Sequence, residues 1–124
     1  MTRQFLTANR EITVLVCGGR DYLDKDRVFA TLDEIDAGDK IGLLVHGGSS
    51  GADSLAGYWA RMRDVPAAMF KPDWSEGPRA GPVRNARMLR VTRPDLVVAF
   101  PGGKGTADMV RLAHAAGVRT MEMP

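Results

Sequence analysis

The feature that most constrains the fold is a repeated alternation of short apolar runs with amphipathic segments. Residues 12–17 (ITVLVC) and 95–100 (DLVVAF) are largely apolar and rich in β-branched side chains, which is typical of buried strands. Between them, Val28, Leu32 and Ile35 recur at helical spacing. Strands that alternate with helices predict a parallel sheet joined by right-handed crossovers.

The chain is expected to form a single-domain, Rossmann-like α/β fold of three layers. Its mostly parallel sheet would contain about five strands, with helices on both faces. The predicted strands are residues 12–17, 41–45, 66–70, 95–100 and 118–123. The predicted helices are residues 24–36 and 52–62, one that begins near Pro82, and one that runs from Thr106, as its cap, to Ala116. The domain would span residues 11–124, after a flexible arm at residues 1–10.

Composition and hydrophobicity bear on the cellular location of the protein. A chain of 124 residues suits one domain with one core. No apolar run approaches the ~20 residues that span a bilayer, and the first residues lack a hydrophobic signal region. The single cysteine, Cys17, excludes an intramolecular disulfide and suits a reducing compartment. We therefore expect a cytoplasmic protein with no membrane partner.

Three glycine-rich segments each follow a predicted strand. We call them the first (17–21, CGGRD), second (46–53, HGGSSGAD) and third (101–108, PGGKGTAD) glycine loops. The carboxyl ends of parallel strands lie at one edge of a sheet, and ligands bind at that edge. Glycine lets the backbone approach a ligand, and the helix that follows presents N–H groups to an anion. One such loop would be explained by a tight turn alone, but three at one edge favour a phosphate-binding rim.

Two common nucleotide signatures are absent. G-x-x-x-x-G-K-[ST] fails because Lys104 is followed by Gly105, and G-x-G-x-x-G fails because Asp108 occupies the third glycine's place. An ordinary P-loop hydrolase or NAD dehydrogenase is therefore disfavoured. Two histidines and one cysteine without ligand spacing predict no metal site, and no cofactor is expected.

Positive charge is concentrated in one segment. Five arginines lie between residues 79 and 93, and no acidic residue occurs between Glu76 and Asp95. Such a patch favours phosphate or nucleic acid as a partner. A solvated helix face is the alternative explanation.

Four motifs follow one another along the chain and include or lie between these loops: a GGRDY start, an HGG-x-x-GAD loop, a DW pair and an AGP-x-RN segment. PGGKGT follows them. Together they resemble the SLOG superfamily, which includes the LOG phosphoribohydrolases and the DNA-processing protein DprA. Within it, they are most similar to the small stand-alone branch related to YspA and YpsA. The resemblance covers nearly the whole chain from about Glu11. The motifs are Gly18–Tyr22, His46–Asp53, Asp73–Trp74 and Ala80–Asn85.

The resemblance implies that a nucleotide or nucleotide-derived ligand binds across the rim. Arg84 matches the arginine of the LOG segment R-K-x-x-M, and its guanidinium is expected to grip a phosphate bidentately. Arg20 could instead pair with Asp21, and Lys104 could face solvent. Related folds commonly form homodimers, so a homodimer is expected. The residues expected to bind the ligand or its phosphate are Gly18, Gly19, Arg20, Gly47, Gly48, Ser49, Arg84, Asn85, Gly102, Gly103, Lys104, Gly105 and Thr106.

The chain departs from the LOG motif at one position that bears on catalysis. The LOG enzymes carry P-G-G-x-G-T-x-x-E, whose glutamate assists cleavage of the bond between base and ribose, but Met109 stands there in this chain. Asp108 is turned ~100° away along a helix, so it is not expected to substitute directly. The catalytic candidates are Arg84, Asp108, Asp21 and Asp53, although Asp21 and Asp53 could each cap a helix instead.

Several aromatic and histidine residues have open roles. Trp74, in a polar segment, could stack on a base or pack the loop onto the domain. Trp59 lies on an apolar helical stripe and is expected in the core or at a subunit interface. His46 is expected to make a structural hydrogen bond, and His114 to be an ordinary helix residue.

Three functions from different classes fit these patterns. The first is binding or sensing of a nucleotide-like phosphorylated small molecule, without turnover. The second is a LOG-like phosphoribohydrolase that cleaves the N-glycosidic bond of a nucleoside 5'-monophosphate. The third, least favoured, is DprA-like binding of single-stranded DNA, which would weaken steeply with salt.

Overall fold

The structure is a computed structural model that describes residues 11–124. The arm predicted at residues 1–10 lies outside the described residues. Within residues 11–124, no helix is long and apolar enough to cross a membrane.

One parallel sheet forms the centre of the domain, which confirms the predicted Rossmann-like α/β fold. The strand order is β3-β2-β1-β4-β5, and each neighbouring pair is parallel. The order reverses between β1 and β4, and ligands bind beside such a reversal in open α/β sheets. The strands are β1 (Ile12–Cys17), β2 (Ile41–His46), β3 (Ala67–Met69), β4 (Leu96–Ala99) and β5 (Arg119–Glu122).

Two helix layers enclose the sheet. Because successive strand residues point to opposite faces, Val14 and Val16 pack with α1 and α2, while Leu15 and Cys17 pack with α3 and α4. The helices are α1 (Lys25–Gly38), α2 (Ala52–Met62), α3 (Ala80–Thr92) and α4 (Lys104–Ala115), and a 3-10 helix (Trp74–Arg79) precedes α3.

Helix α2 begins at Ala52 as predicted, but the capping residues of two other helices differ from those considered in the sequence. Gly103 is the N-cap of α4 and no side chain caps this helix, so the prediction that Thr106 caps it was wrong. The carboxylate of Asp24 caps α1 by accepting the N–H of Arg27 at 3.1 Å, so Asp21 is not the cap. Helix α3 begins two residues before Pro82, which fits in the first turn because its missing N–H has no partner there.

Trp59 belongs to the core. It is fully buried on α2, and its indole N–H donates to Asp33 Oδ1 on α1 at 2.8 Å. Arg63 donates to both oxygens of the same carboxylate at 2.9 Å. One aspartate therefore joins α1 to α2 from outside the core.

Candidate functional site

The three glycine loops are hydrogen-bonded to one another at the carboxyl edge of the sheet. The N–H of Gly19 donates to Pro101 O at 2.9 Å, and the N–H of Ala52 donates to Gly19 O at 3.1 Å. The first loop therefore lies between the second and the third. Gly51 has φ 75°, and a Cβ there would collide with the carbonyl of Gly19, so this position requires glycine.

We call the three hydrogen-bonded glycine loops the loop unit, and a main cavity of about 510 Å³ opens beside it. Its volume lies within the range of ~300–1,000 Å³ typical of small-molecule sites. The structure brings together most of the residues predicted for the site; those lining the cavity are Gly18, Gly19, Arg20, Gly47, Ser49, Asp53, Trp74, Arg84, Asn85, Gly103, Lys104, Gly105, Thr106 and Asp108.

Three predicted residues lie elsewhere. Asp21 is exposed and lines neither of the two cavities described here. Gly48 lines a second, adjoining cavity. Gly102 packs inside the loop unit, where an added Cβ would collide with Thr106 Oγ1 and lie 2.7 Å from the N of Gly19.

Gly103 differs sharply from Gly102. An added Cβ at Gly103 would meet no atom within 4 Å, but its φ of −104° and ψ of −139° lie outside the α and β regions. Gly105 also has open space beside it, and it lies within the first turn of α4. Neither the helical backbone nor packing in the described part of the chain therefore demands glycine at 105, whereas a group that comes close to the backbone from the cavity would demand it.

The first turn of α4 faces the main cavity. With no side-chain cap, its leading N–H groups are left for solvent or a ligand. The side chains of Lys104 and Thr106 lie beside them in the cavity wall. A helix N-terminus with a lysine and a hydroxyl group suits an anion such as phosphate.

Arg84 is half-buried on α3 and already has protein partners. Its Nη1 donates to the backbone oxygens of Gly47 and Phe70, and its Nε donates to Asn85 Oδ1 at 3.0 Å. Burial lowers the pKa of Arg84, and the charge of Asp53 acts in the opposite direction. The guanidinium therefore holds the second glycine loop in place as well as adding positive charge to the cavity.

Asp53 orders the second glycine loop. Its Oδ2 accepts the N–H groups of Gly47 and Ser49, each at 3.1 Å. The prediction that it might cap its own helix was wrong, because both donors precede α2. Burial raises the pKa of Asp53, while the Ser49 N–H, the charge of Arg84 and the Gly47 N–H lower it.

Asp108, one of the catalytic candidates, supplies a carboxylate to the cavity, although it was not expected to substitute directly for the LOG glutamate. Met109, at the position of the LOG glutamate, is fully buried in the core between the sheet and α3 and α4. Asp108 lines the cavity, accepting from Asn85 Nδ2 at 3.1 Å and from Arg111 at 2.8 Å. Asn85 also donates to Gly105 O at 3.2 Å, so this buried amide joins α3 to α4.

His46 and Cys17 lie close to the loops. His46 is buried, and its Nδ1 accepts the N–H of Gly48 at 3.1 Å, the kind of structural bond expected from the sequence. Burial, followed by the charge of Arg84, lowers its pKa. Cys17 lines the main cavity at the end of β1, and burial raises the pKa of its thiol to about 12. His114 does not line the main cavity, and its Nε2 lies 2.9 Å from Thr120 Oγ1.

Trp74 forms one wall of the main cavity. Its side chain is 56% exposed, so it is not fixed by packing into the domain. The guanidinium carbon of Arg20 lies 5.5 Å from the ring centroid. A flat, accessible indole with a cation beside it suits a nucleobase.

Most of the arginine cluster lies away from the cavity. Of these residues only Arg84 lines it, while Arg87 lies over the ring of Phe70 at 5.4 Å. The other three, Arg79, Arg90 and Arg93, are exposed outside the lining. A solvated helix face therefore accounts for most of this charge. Among residues 11–124, no cluster of three or more His, Cys, Asp or Glu side chains could hold a metal ion.

Fold and site together define a small Rossmann-like domain whose cavity is built from glycine loops at the carboxyl edge of the sheet. Over residues 12–77 the chain matches the YspA, cpYpsA-related SLOG family (YAcAr), and it belongs to this family, as the motifs predicted. The match includes the first two glycine loops and Trp74, while the third loop and Arg84 lie beyond it.

A phage protein is similar over most of its length. The chain is 37% identical over 114 residues to the Gene 61 protein of Mycobacterium phage D29. The aligned region covers 85% of this chain and 90% of that protein. The aligned region therefore includes at least one of the first and third glycine loops. It also extends well beyond residues 12–77, the segment that carries the family match.

Proposed function

We propose that the main cavity binds a phosphorylated, nucleotide-type ligand, as a binding or sensing site. The phosphate would lie at the first turn of α4, against Gly103, Gly105 and Thr106. Gly105 carries the proposal, because neither its helical backbone nor its packing accounts for a glycine there. A phosphate seated against the backbone N–H groups would leave no room for a side chain.

The charges around the cavity support an anionic ligand. Arg20, Arg84 and Lys104 contribute three cations to its wall. The two carboxylates there are already engaged: Asp53 accepts two loop N–H groups, and Asp108 is paired with Arg111. Hydrogen bonds to a carboxylate offset part of its negative charge. The three cations of the wall are therefore available to balance the negative charge of a phosphate.

Trp74 gives the ligand its second contact. The exposed ring lines the cavity along with the first turn of α4, and Arg20 lies against it. Stacking of a base on an aromatic ring contributes about 1–3 kcal/mol and tolerates any base. A nucleotide would therefore place its phosphate at α4, its base on Trp74 and its sugar between them.

Asp108 favours a second candidate, a phosphoribohydrolase. Its carboxylate lines the same cavity and is oriented by Asn85 and Arg111. Cleavage of an N-glycosidic bond passes through an oxocarbenium-like state, which a nearby carboxylate stabilises. Release of free base from a bound nucleoside 5'-monophosphate, followed by chromatography, would distinguish this hydrolase from a sensor that leaves its ligand intact.

The binding proposal is tested by calorimetric titration with the four common nucleoside 5'-monophosphates and their nucleosides. We expect at least one monophosphate to bind at least about tenfold more tightly than its nucleoside, which corresponds to about 1.4 kcal/mol. In Gly105→Val this preference should disappear, because the residue lines the main cavity and its added side chain would occupy the space of the phosphate. The thermal unfolding midpoint should stay close to that of the parent protein, because an added Cβ there meets no atom within 4 Å.

A matched control removes the effect of the substitution itself. Gly38, at the end of α1, also has no atom within 4 Å of an added Cβ, and it lies outside the cavity lining. Gly38→Val should therefore bind like the parent protein. Equal affinity of Gly105→Val and the parent for a monophosphate would contradict the phosphate position.

A further inference from the structure

A second cavity of about 340 Å³ adjoins the main cavity. Arg20, Ser49 and Trp74 line both, so these residues form the boundary between them. Gly48, Ser50, Lys71 and Pro72 complete the second cavity. Its volume also lies within the range of ~300–1,000 Å³ found for ligand sites, so it can accept more than a water molecule.

The second cavity is more positively charged than the main one. Arg20 and Lys71 line it and no acidic side chain does, whereas Asp53 and Asp108 line the main cavity. Within residues 11–124, neither of these two cations forms an ion pair. Two cations without a carboxylate in a concave wall attract an anion.

The loop geometry keeps this cavity next to Lys71. Gly48 has φ 76°, and a Cβ there would lie 2.8 Å from Met69 Sδ and 3.1 Å from Lys71 Cγ. The Ser50 hydroxyl donates to the backbone oxygen of Arg20 at 3.1 Å, which connects the second loop to the first. Connected backbone segments therefore form the wall of the second cavity, and the side chain of Lys71 adds a cation to it.

We propose that the second cavity receives a second phosphate group of the same ligand, so that the preferred ligand is a nucleotide with two separated phosphates. This inference rests on the proposed function of the main cavity. A base on Trp74 would lie at the boundary, with one phosphate at α4 and the other near Lys71. A nucleoside 3',5'-bisphosphate and a 5'-phosphorylated dinucleotide both present this chemistry, and Lys71 is the residue that selects for it.

The experiment compares three ligand sets at fixed salt by calorimetric titration: nucleoside 5'-monophosphates, nucleoside 3',5'-bisphosphates and 5'-phosphorylated dinucleotides. For the base that binds best, we expect the bisphosphate or the dinucleotide to bind at least about tenfold more tightly than the monophosphate. Lys71→Gln should abolish this difference and leave monophosphate affinity unchanged. Arg20→Gln should weaken monophosphate and bisphosphate alike, because Arg20 lines both cavities.

Lys40→Gln is the matched control, since it removes the same charge from an exposed lysine outside both cavities. It should behave like the parent protein. Tighter binding of the dinucleotide than of the bisphosphate would support a bridging phosphate, and the reverse would support a terminal one.

Other results would overturn the inference in distinguishable ways. Equal affinities for monophosphate and bisphosphate, unchanged in Lys71→Gln, would remove the second phosphate site and leave the proposed function standing. Absence of binding by every ligand would overturn both. Affinity for single-stranded DNA that keeps rising with length beyond the dinucleotide and falls steeply with salt would replace both by a nucleic-acid site.

Discussion

At the scale of single residues, two adjacent positions on α4 show how one step along a helix decides which side chain reaches the site. Met109 is fully buried in the core, and Asp108 lines the main cavity. Consecutive helical residues are rotated by ~100°, so they do not share a direction. The rotation that argues against Asp108 in a motif comparison is the one that directs it into the main cavity here.

Asp108→Asn tests whether that carboxylate takes part in chemistry. If the protein releases base from a monophosphate, we expect the variant to release it at least about 100-fold more slowly, since removal of a group that stabilises transition-state charge costs about 10²–10³-fold. Its affinity for the monophosphate should change little. Base release is followed by chromatography, with Asp21→Asn as a control at an exposed carboxylate outside both cavities. An unchanged rate in Asp108→Asn would exclude this residue as the catalytic group.

At the scale of elements, α1 and α2 are joined by the Asp33 carboxylate, and its hydrogen bonds differ in importance. Arg63 and Asp33 are both partly exposed, with side-chain exposures of 40% and 44%, so their ion pair contributes little. The Trp59 indole N–H belongs to a fully buried side chain and has Asp33 as its acceptor. Loss of that acceptor is the costlier change, because a buried donor is left unpaired.

Asp33→Ala is therefore expected to lower the free energy of unfolding by about 1–3 kcal/mol. Arg63→Gln should have a clearly smaller effect, because the Trp59 hydrogen bond remains. Urea unfolding of the two variants and the parent protein, with one common slope, measures both changes. A larger loss in Arg63→Gln than in Asp33→Ala would show that the ion pair, and not the indole, joins the helices.

The sequence predicted the elements of the fold better than their ends. Strand β1 was predicted without error because ITVLVC is apolar and β-branched throughout. The start of α4 was misplaced because Thr106 is a good cap by composition, whereas the helix begins at Gly103 without any side-chain cap. The 3-10 helix at Trp74–Arg79 was expected to be loop, since glycine and proline in that segment give no helical periodicity.

The site was predicted as a set of loops, and its individual roles less well. Glycine motifs locate the rim because they mark where strands end. They do not distinguish Gly102, which packs against Gly19, from Gly103, which faces open space. Arg84 was expected to contact phosphate, and its bonds to the carbonyls of Gly47 and Phe70 depend on long-range packing that no local pattern reveals.

At the scale of the whole molecule, stability depends on ionisable groups buried under the loop unit. Burial lowers the pKa of His46, so the folded state takes up a proton less readily than the unfolded chain. Stability from this residue is present above the unfolded value of 6.5 and is lost as the pH falls towards the folded pKa. The raised pKa of Asp53 has the opposite effect on stability. Above pH 3.8 the folded state holds the proton of this carboxyl group more tightly than the unfolded chain does, so this contribution to stability decreases as the pH rises.

His46→Asn separates these two effects. The amide oxygen of asparagine can accept the Gly48 N–H in place of Nδ1, and it does not titrate. We expect the parent protein to lose stability as the pH falls from about 7.5 through the ordinary histidine pKa of about 6.5, and the variant to lose less. Urea unfolding at several pH values measures this. Parallel curves for His46→Asn and the parent would contradict the assignment.

The buried thiol of Cys17 has a practical consequence. It is the chain's single cysteine, and with a pKa of about 12 almost none of it is thiolate at neutral pH. Maleimide reagents are electrophiles that thiolates attack, so they should leave Cys17 unmodified. A Glu76→Cys substitution, at an exposed position two residues after Trp74, would therefore accept a fluorophore at one place without prior removal of the native thiol. The protein can therefore be converted, by one substitution and one label, into a fluorescent reporter for the proposed ligand.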